Sequence, residues 1–323
     1  MIANSGEYRK KNGQRGYVMM NNLIFENKTK VYFGKGGVKE YLGGLLANFG
    51  ETVMLAYGGG SIKCNGVYDE IMGILNAQGK CVVEFSGIMS NPTYAKVQEG
   101  AKPAHENHVD LILAVGGGNV SDCCKVISGA FDTLSHAMET YFGKPDENNL
   151  SDDINEAVMR SVIRNIRILL TDPENYDARS ELAWASAMAE NGALKIGKVT
   201  DFQAHQIQHQ LGAYTNCNHG AGLAVIHPVL YRHIYKSGAA RFTRWAQNVW
   251  GIAPKGSDEE TAAAGIDALA AFIKEIGLPT SFAELGLPAD TDFRAIADST
   301  NVTAGCCKKL THDEIYEILQ ECL

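Results

Sequence analysis

Asp132 and His136 stand four residues apart within Phe131–Phe142, a stretch of helical spacing. That spacing stacks a carboxylate and an imidazole on one helix face, a turn apart. His205 and His209 repeat the interval, and His219 follows ten residues later. Three of the nine histidines thus fall within one short stretch. A single histidine is most readily explained as a hydrogen-bonded, partly buried residue. Two i, i+4 pairs and a further histidine together argue for a divalent cation. A carboxylate with imidazoles and no thiolate suits Fe²⁺, Zn²⁺, Co²⁺ or Ni²⁺. A catalytic ion also needs an open position for a substrate oxygen. His105, His108, His227, His233 and His312 lack comparable partners and are assigned to surface or core.

Two glycine-rich turns carry a second kind of chemistry. Gly58-Gly59-Gly60-Ser61 and Gly116-Gly117-Gly118-Asn119 each follow an apolar run and precede a helical pattern. Glycine lets backbone N–H groups approach an anion, and a following helix N-terminus favours negative charge. Either turn alone is an ordinary strand-to-helix connection. Equivalently placed, the two favour phosphate binding and hence a dinucleotide. Neither fits G-x-G-x-x-G, so the usual Rossmann fingerprint is absent.

The elements that position these residues change character along the chain. Glu51–Tyr57, Lys80–Phe85 and Asp110–Val115 are short apolar runs, separated by helical patterns over Cys64–Gln78 and Thr93–Ala104. Such alternation predicts βαβ units and a parallel sheet. From Phe131 onward only helices are predicted: Phe131–Phe142, Ile154–Leu170, Arg179–Leu194, Phe202–Tyr214, Gly222–Tyr235, Ala239–Trp250, Thr261–Ile276 and Thr311–Leu323. The reading is a polar leader over 1–21, an incomplete α/β dinucleotide-binding domain over 22–128, and an all-α metal-binding domain over 129–323. Met19-Met20 is a candidate natural start, and Thr29–Phe33 a leading strand.

A chain of 323 residues is long enough for two domains with sizeable cores. Its net charge of -8 argues against nucleic acid as a partner and fits a cytosolic protein. Eight cysteines without a CxxC read as reduced, mostly buried thiols. No stretch approaches a membrane span, and the basic start lacks the apolar core of a signal peptide.

The sequence resembles the group III, or iron-containing, alcohol dehydrogenases, especially the butanol dehydrogenase and aldehyde reductase branch. The stretches that carry the resemblance are TKVYFGKGG (29–37), LAYGGGSIKCNGVYDE (55–70), ILAVGGGNVSDCCK (112–125), GAFDTLSHAMETYF (129–142), DFQAHQIQHQLGAYTNCNHGAGLAVIHP (201–228) and KKLTHDEIYEIL (308–319). The resemblance implies Asp132, His136, His205 and His219 as ligands of Fe²⁺ or Zn²⁺. It implies His209 beside substrate and nicotinamide, as a proton shuttle. It implies Gly59, Gly60 and Ser61 near the adenosine ribose, and Gly117, Gly118 and Asn119 around the pyrophosphate, with Asp122 a further cofactor-binding residue. Ser61 in place of an acid favours NADP(H) over NAD(H), since a carboxylate would repel a 2′-phosphate. A small alcohol or aldehyde substrate and a homodimer follow as expectations, with Thr29–Phe33 as a cross-subunit element.

One departure is large. Family members carry an internal segment between the helix after the second glycine turn and the Asp132 helix, whereas here Lys125-Val126-Ile127-Ser128 runs directly into Gly129. An unbroken helix from Val120 to His136 would rise about 25 Å, and Ser128-Gly129 is where a break would turn the chain back. The expected reaction is hydride exchange between NAD(P)H and a short primary alcohol or aldehyde. The alternatives are a catalytically impaired metal-binding remnant, a glycerol dehydrogenase-like or lyase-type relative, and a helical module with free histidines.

Overall fold

The structure, a computed structural model, describes residues 29–89, 93–116, 123–144, 148–303 and 305–323. Sequence patterning gives no sign of α1 (Gly37–Leu46), a glycine-rich helix that buries only Leu46. Three parallel strands follow: β1 (Thr52–Tyr57), β2 (Cys81–Phe85) and β3 (Leu111–Val115), in the order β2-β1-β3. β1 is central and apolar on both faces, as a covered parallel strand must be. Val53, Leu55 and Tyr57 join Leu46, Ile71 and Leu75 in one core. The helical pattern over Cys64–Gln78 resolves into α2 (Ser61–Cys64) and α3 (Val67–Ala77). Gly66, at φ 80°, makes the break between them. α4 (Tyr94–Glu106) connects β2 to β3, and Gly100 lets it close on the Phe85 ring. Residues 29–33 are not paired as a strand, which corrects that expectation; Val31, Tyr32 and Phe33 are exposed.

The helical part begins earlier than patterning suggests. α5 spans Cys123–Tyr141 without a break at Ser128-Gly129, so the expected turn-back is corrected. Its register is continuous because Ile127 and Ala130 already pack in the helical core with Phe131 and Leu134. β3, which α5 follows, keeps Ile112 61% exposed. The remaining helices are α6 (Leu150–Thr171), α7 (Tyr176–Glu190), α8 (Gln203–Thr215), α9 (His219–Ile234), α10 (Ala239–Trp250), α11 (Asp258–Glu275), α12 (Phe282–Leu285), α13 (Phe293–Ser299) and α14 (His312–Glu321). Phe142, Tyr231, Phe242 and Trp245 form an aromatic cluster at its centre, with the Phe142 and Phe242 rings stacked at 4.0 Å. No described helix is long and apolar enough to cross a membrane. Of the six described free cysteines, Cys64 and Cys81 are exposed, against the reading of mostly buried thiols.

Candidate metal centre

α5, α8 and α9 meet where their chemistry-bearing residues lie. Two local devices fix that meeting. The Asn218 side chain accepts from the Ala221 N–H at 2.9 Å, so α9 starts at His219 rather than at the predicted Gly222. The next residue, Gly220, sits so close to α5 that a Cβ there would lie 2.1 Å from the Ser128 carbonyl oxygen. Only glycine permits that approach, and it brings His219 beside Asp132. α8 is set by a different device. An isolated bridge, Lys144 to Val199, draws residues 199–201 against the end of α5, and Phe202 then turns through a left-handed conformation at φ 55°. That conformation is costly for a non-glycine residue and persists only where neighbours enforce it. Here the Phe202 ring packs against His136 and His205.

The result is convergence on one oxygen. Nε2 of His205 and Nε2 of His219 each lie 3.4 Å from Asp132 Oδ1, and Nε2 of His136 lies 3.8 Å from it. Asp132, His205 and His219 offer ligand atoms all within 4.8 Å of one another, a set that does not include His136. Ligand atoms held about 2.1 Å from a single ion at tetrahedral angles would be roughly 3.4 Å apart. Asp132 Oδ1 and His205 Nε2 are also buried without a hydrogen-bond partner, which is costly for polar atoms unless something else satisfies them. Spacing, donor chemistry and orphaned atoms therefore fit a divalent cation.

Electrostatics follow from the same packing. Burial pushes the Asp132 carboxyl up, but the facing imidazoles of His205, His219 and His136 outweigh it and hold Asp132 far below the usual carboxylate range. His205 is buried, which favours its neutral form, yet Glu139 and Asp132 raise it to about 9. Burial together with the charges of His205 and His219 lowers His209. His209 lies in the open part of the cluster, its ring stacked on His219 at 5.5 Å.

Sequence reasoning misses two carboxylates. Glu139 contacts Nδ1 of His205, and Glu190 lies 3.0 Å from Nδ1 of His136. Glu139 is visible in retrospect, seven residues after Asp132 on the same helix face. Glu190 is on α7, and no local pattern links it to His136. His227 is a core residue, as assigned, fully buried with Nε2 2.5 Å from Ser135 Oγ. The glycine turn at 58–61 closes β1, and a Cβ at Gly59 or Gly60 would meet nothing within 4 Å. Gly117, Gly118, Asn119 and Asp122 lie outside the described residues.

With this geometry in hand, comparison with known proteins is decisive. The family profile described as Fe-containing alcohol dehydrogenase family, C-terminal, matches residues 126–323. A second, Iron-containing alcohol dehydrogenase, matches residues 28–157. The chain belongs to the iron-containing alcohol dehydrogenase family. Within the family it is 27% identical to NADH-dependent butanol dehydrogenase A of Clostridium acetobutylicum, covering 91% of this chain and 97% of that one. It is 26% identical to an NADPH-dependent aldehyde reductase of Escherichia coli, covering 83% of this chain and 90% of that one. The crystal structure of an NADH-dependent butanol dehydrogenase A from Thermotoga maritima superposes with a TM-score of 0.86 at 26% identity, over 94% of this chain and 99% of that one. The alignment to the Clostridium enzyme runs over 380 positions, more than the 323 residues of this chain. Part of that relative therefore has no counterpart here.

Proposed function

We propose that this protein is a divalent-metal-dependent oxidoreductase that exchanges hydride between a nicotinamide cofactor and a short primary alcohol or aldehyde. The observation that carries the reading is the approach of three imidazole Nε2 atoms to the single oxygen Asp132 Oδ1. Asp132, His136, His205 and His219 would hold Fe²⁺ or Zn²⁺. When bound, such an ion supplies Lewis-acid polarisation of a carbonyl oxygen. Family relatives named as butanol dehydrogenases and as an aldehyde reductase support the substrate class.

The chain's own residues would do the rest. The Asp132 carboxylate offsets the ion's charge, and Glu139 and Glu190 orient two of the imidazoles. His209, its basicity lowered, is neutral near pH 7 and can pass a proton between an imidazole nitrogen and the substrate oxygen. Gly59 and Gly60 leave open space beside the backbone, as close approach of a cofactor requires. Ser61 offers no negative charge to repel a 2′-phosphate, which favours NADP(H). Gly117, Gly118, Asn119 and Asp122 complete the proposed cofactor contacts. A homodimer belongs to the same proposal, and light scattering on the purified chain tests it.

A second reading rests on its own observation. α5 runs unbroken from Cys123 through Asp132 and His136, and part of the Clostridium relative has no counterpart in this chain, so a chain that binds metal but holds the dinucleotide poorly is the rival. NADPH-dependent reduction of butyraldehyde, with and without a chelator, separates the two. Turnover abolished by chelation and restored by Fe²⁺ or Zn²⁺ supports the enzyme. Stoichiometric metal with neither turnover nor NADPH binding supports the rival.

A further inference from the structure

Glu139 is fully buried and makes three contacts at once. Its carboxylate accepts from the backbone N–H of Ala204 at 2.6 Å and of His205 at 3.3 Å. Those are two of the first N–H groups of α8, which have no partner within their own helix. The same carboxylate receives the ring Nδ1 of His205. Glu139 therefore ties α5 to the start of α8 and sets the angle of one ring.

The chemical consequence concerns the other ring nitrogen. A neutral imidazole, the form that ligates a cation, leaves the Nε2 lone pair free when it donates from Nδ1. On His205 that Nε2 is buried, without a hydrogen-bond partner, and 3.4 Å from Asp132 Oδ1. The backbone contacts add rigidity that a side-chain contact alone would not. The ring is fixed relative to the chain that carries it, and that chain is fixed relative to Asp132.

We propose that Glu139 is a positioning residue that locks His205 as the Nδ1–H tautomer and so sets the cation affinity of the centre. The proposal rests on the metal reading above. Glu139 touches neither substrate nor ion; it acts through His205. Partners of this kind are worth about 10–100-fold in metal affinity.

The test uses the full chain stripped of metal and titrated with Co²⁺ against a competing chelator, with the visible Co²⁺ spectrum as a second readout. E139Q keeps the size of the side chain and one oxygen able to accept from the Ala204 N–H. It should fold as the parent does, by circular dichroism, yet bind Co²⁺ about 10–100-fold more weakly with a shifted visible band. E139A should weaken binding further; if it does not fold, E139Q decides alone. Parental Co²⁺ affinity and an unchanged spectrum in a folded E139Q overturn the proposal. Failure of the parent chain itself to bind Co²⁺ overturns the metal reading, and this inference with it.

Discussion

Nε2 of His205 lies 3.4 Å from Oδ1 of Asp132, and both atoms are buried with no hydrogen-bond partner. A hydrogen bond between them would satisfy both, but the distance is longer than a good N–H···O contact and matches two ligands of one ion. His205→Ala should therefore weaken Zn²⁺ or Co²⁺ binding by at least about 100-fold and abolish metal-dependent turnover. Metal analysis after dialysis reads the first effect directly. Stoichiometric metal in the variant would remove His205 from the ligand set.

His209 separates binding from chemistry. Its ring stacks on His219, but it is exposed and is not in the set of ligand atoms that converge. His209→Ala should keep its metal and lose rate, by about 10²–10⁴-fold if it passes the proton. Equal loss of metal and rate would make it a ligand instead.

How much of this was legible in the sequence depends on the range of the interaction. Asp132–His136 and His205–His209 are local pairs, readable from a helical period of four. The parallel strands were readable from apolar runs closed by glycine, to within a residue or so of β1, β2 and β3. Residues 29–33 fail because an apolar run has strand propensity but becomes a strand only where a neighbour pairs with it. The continuity of α5 fails for the opposite reason: glycine at 129 reads as a break, but packing of Ile127 and Ala130 in the core overrides propensity. Glu190 beside His136 is tertiary, and nothing in a linear pattern announces it.

Gly220 is the position where packing and site are most tightly joined. A methyl group there would fall 2.1 Å from the backbone oxygen of Ser128, which cannot swing away as a side chain would. Gly220→Ala should cost about 1–3 kcal/mol through overpacking. It should also weaken metal binding, because α9 must move and carries His219 with it. Gly59→Ala is the contrast: a Cβ there meets nothing within 4 Å. Thermal unfolding should leave Gly59→Ala unchanged, while NADPH titration should show weaker binding if the turn cradles the cofactor. An unshifted melting temperature for Gly220→Ala would show that the two helices can separate freely.

His227 predicts a pH dependence of stability. It is fully buried, and burial lowers its pKa to about 4 from an ordinary value near 6.5. The folded chain therefore keeps His227 neutral at pH 5, where the unfolded chain protonates it. With fewer protons bound when folded, stability falls as pH falls. The penalty is absent above about 6.5, grows through the window and levels off below about 4. Between pH 7.5 and pH 5 this single residue should cost about 2 kcal/mol. His205 works in the other direction in the metal-free chain, because its raised pKa makes the folded state the better proton binder. The comparison must cancel that contribution, so the parent and His227→Gln are unfolded with urea as apoproteins at both pH values. The variant should be less stable than the parent at pH 7.5, having lost the contact to Ser135 Oγ. Its further loss on acidification should be smaller than the parent's by about 2 kcal/mol. An identical pH response in the two chains would mean that His227 gains a proton in the fold as readily as in the unfolded chain.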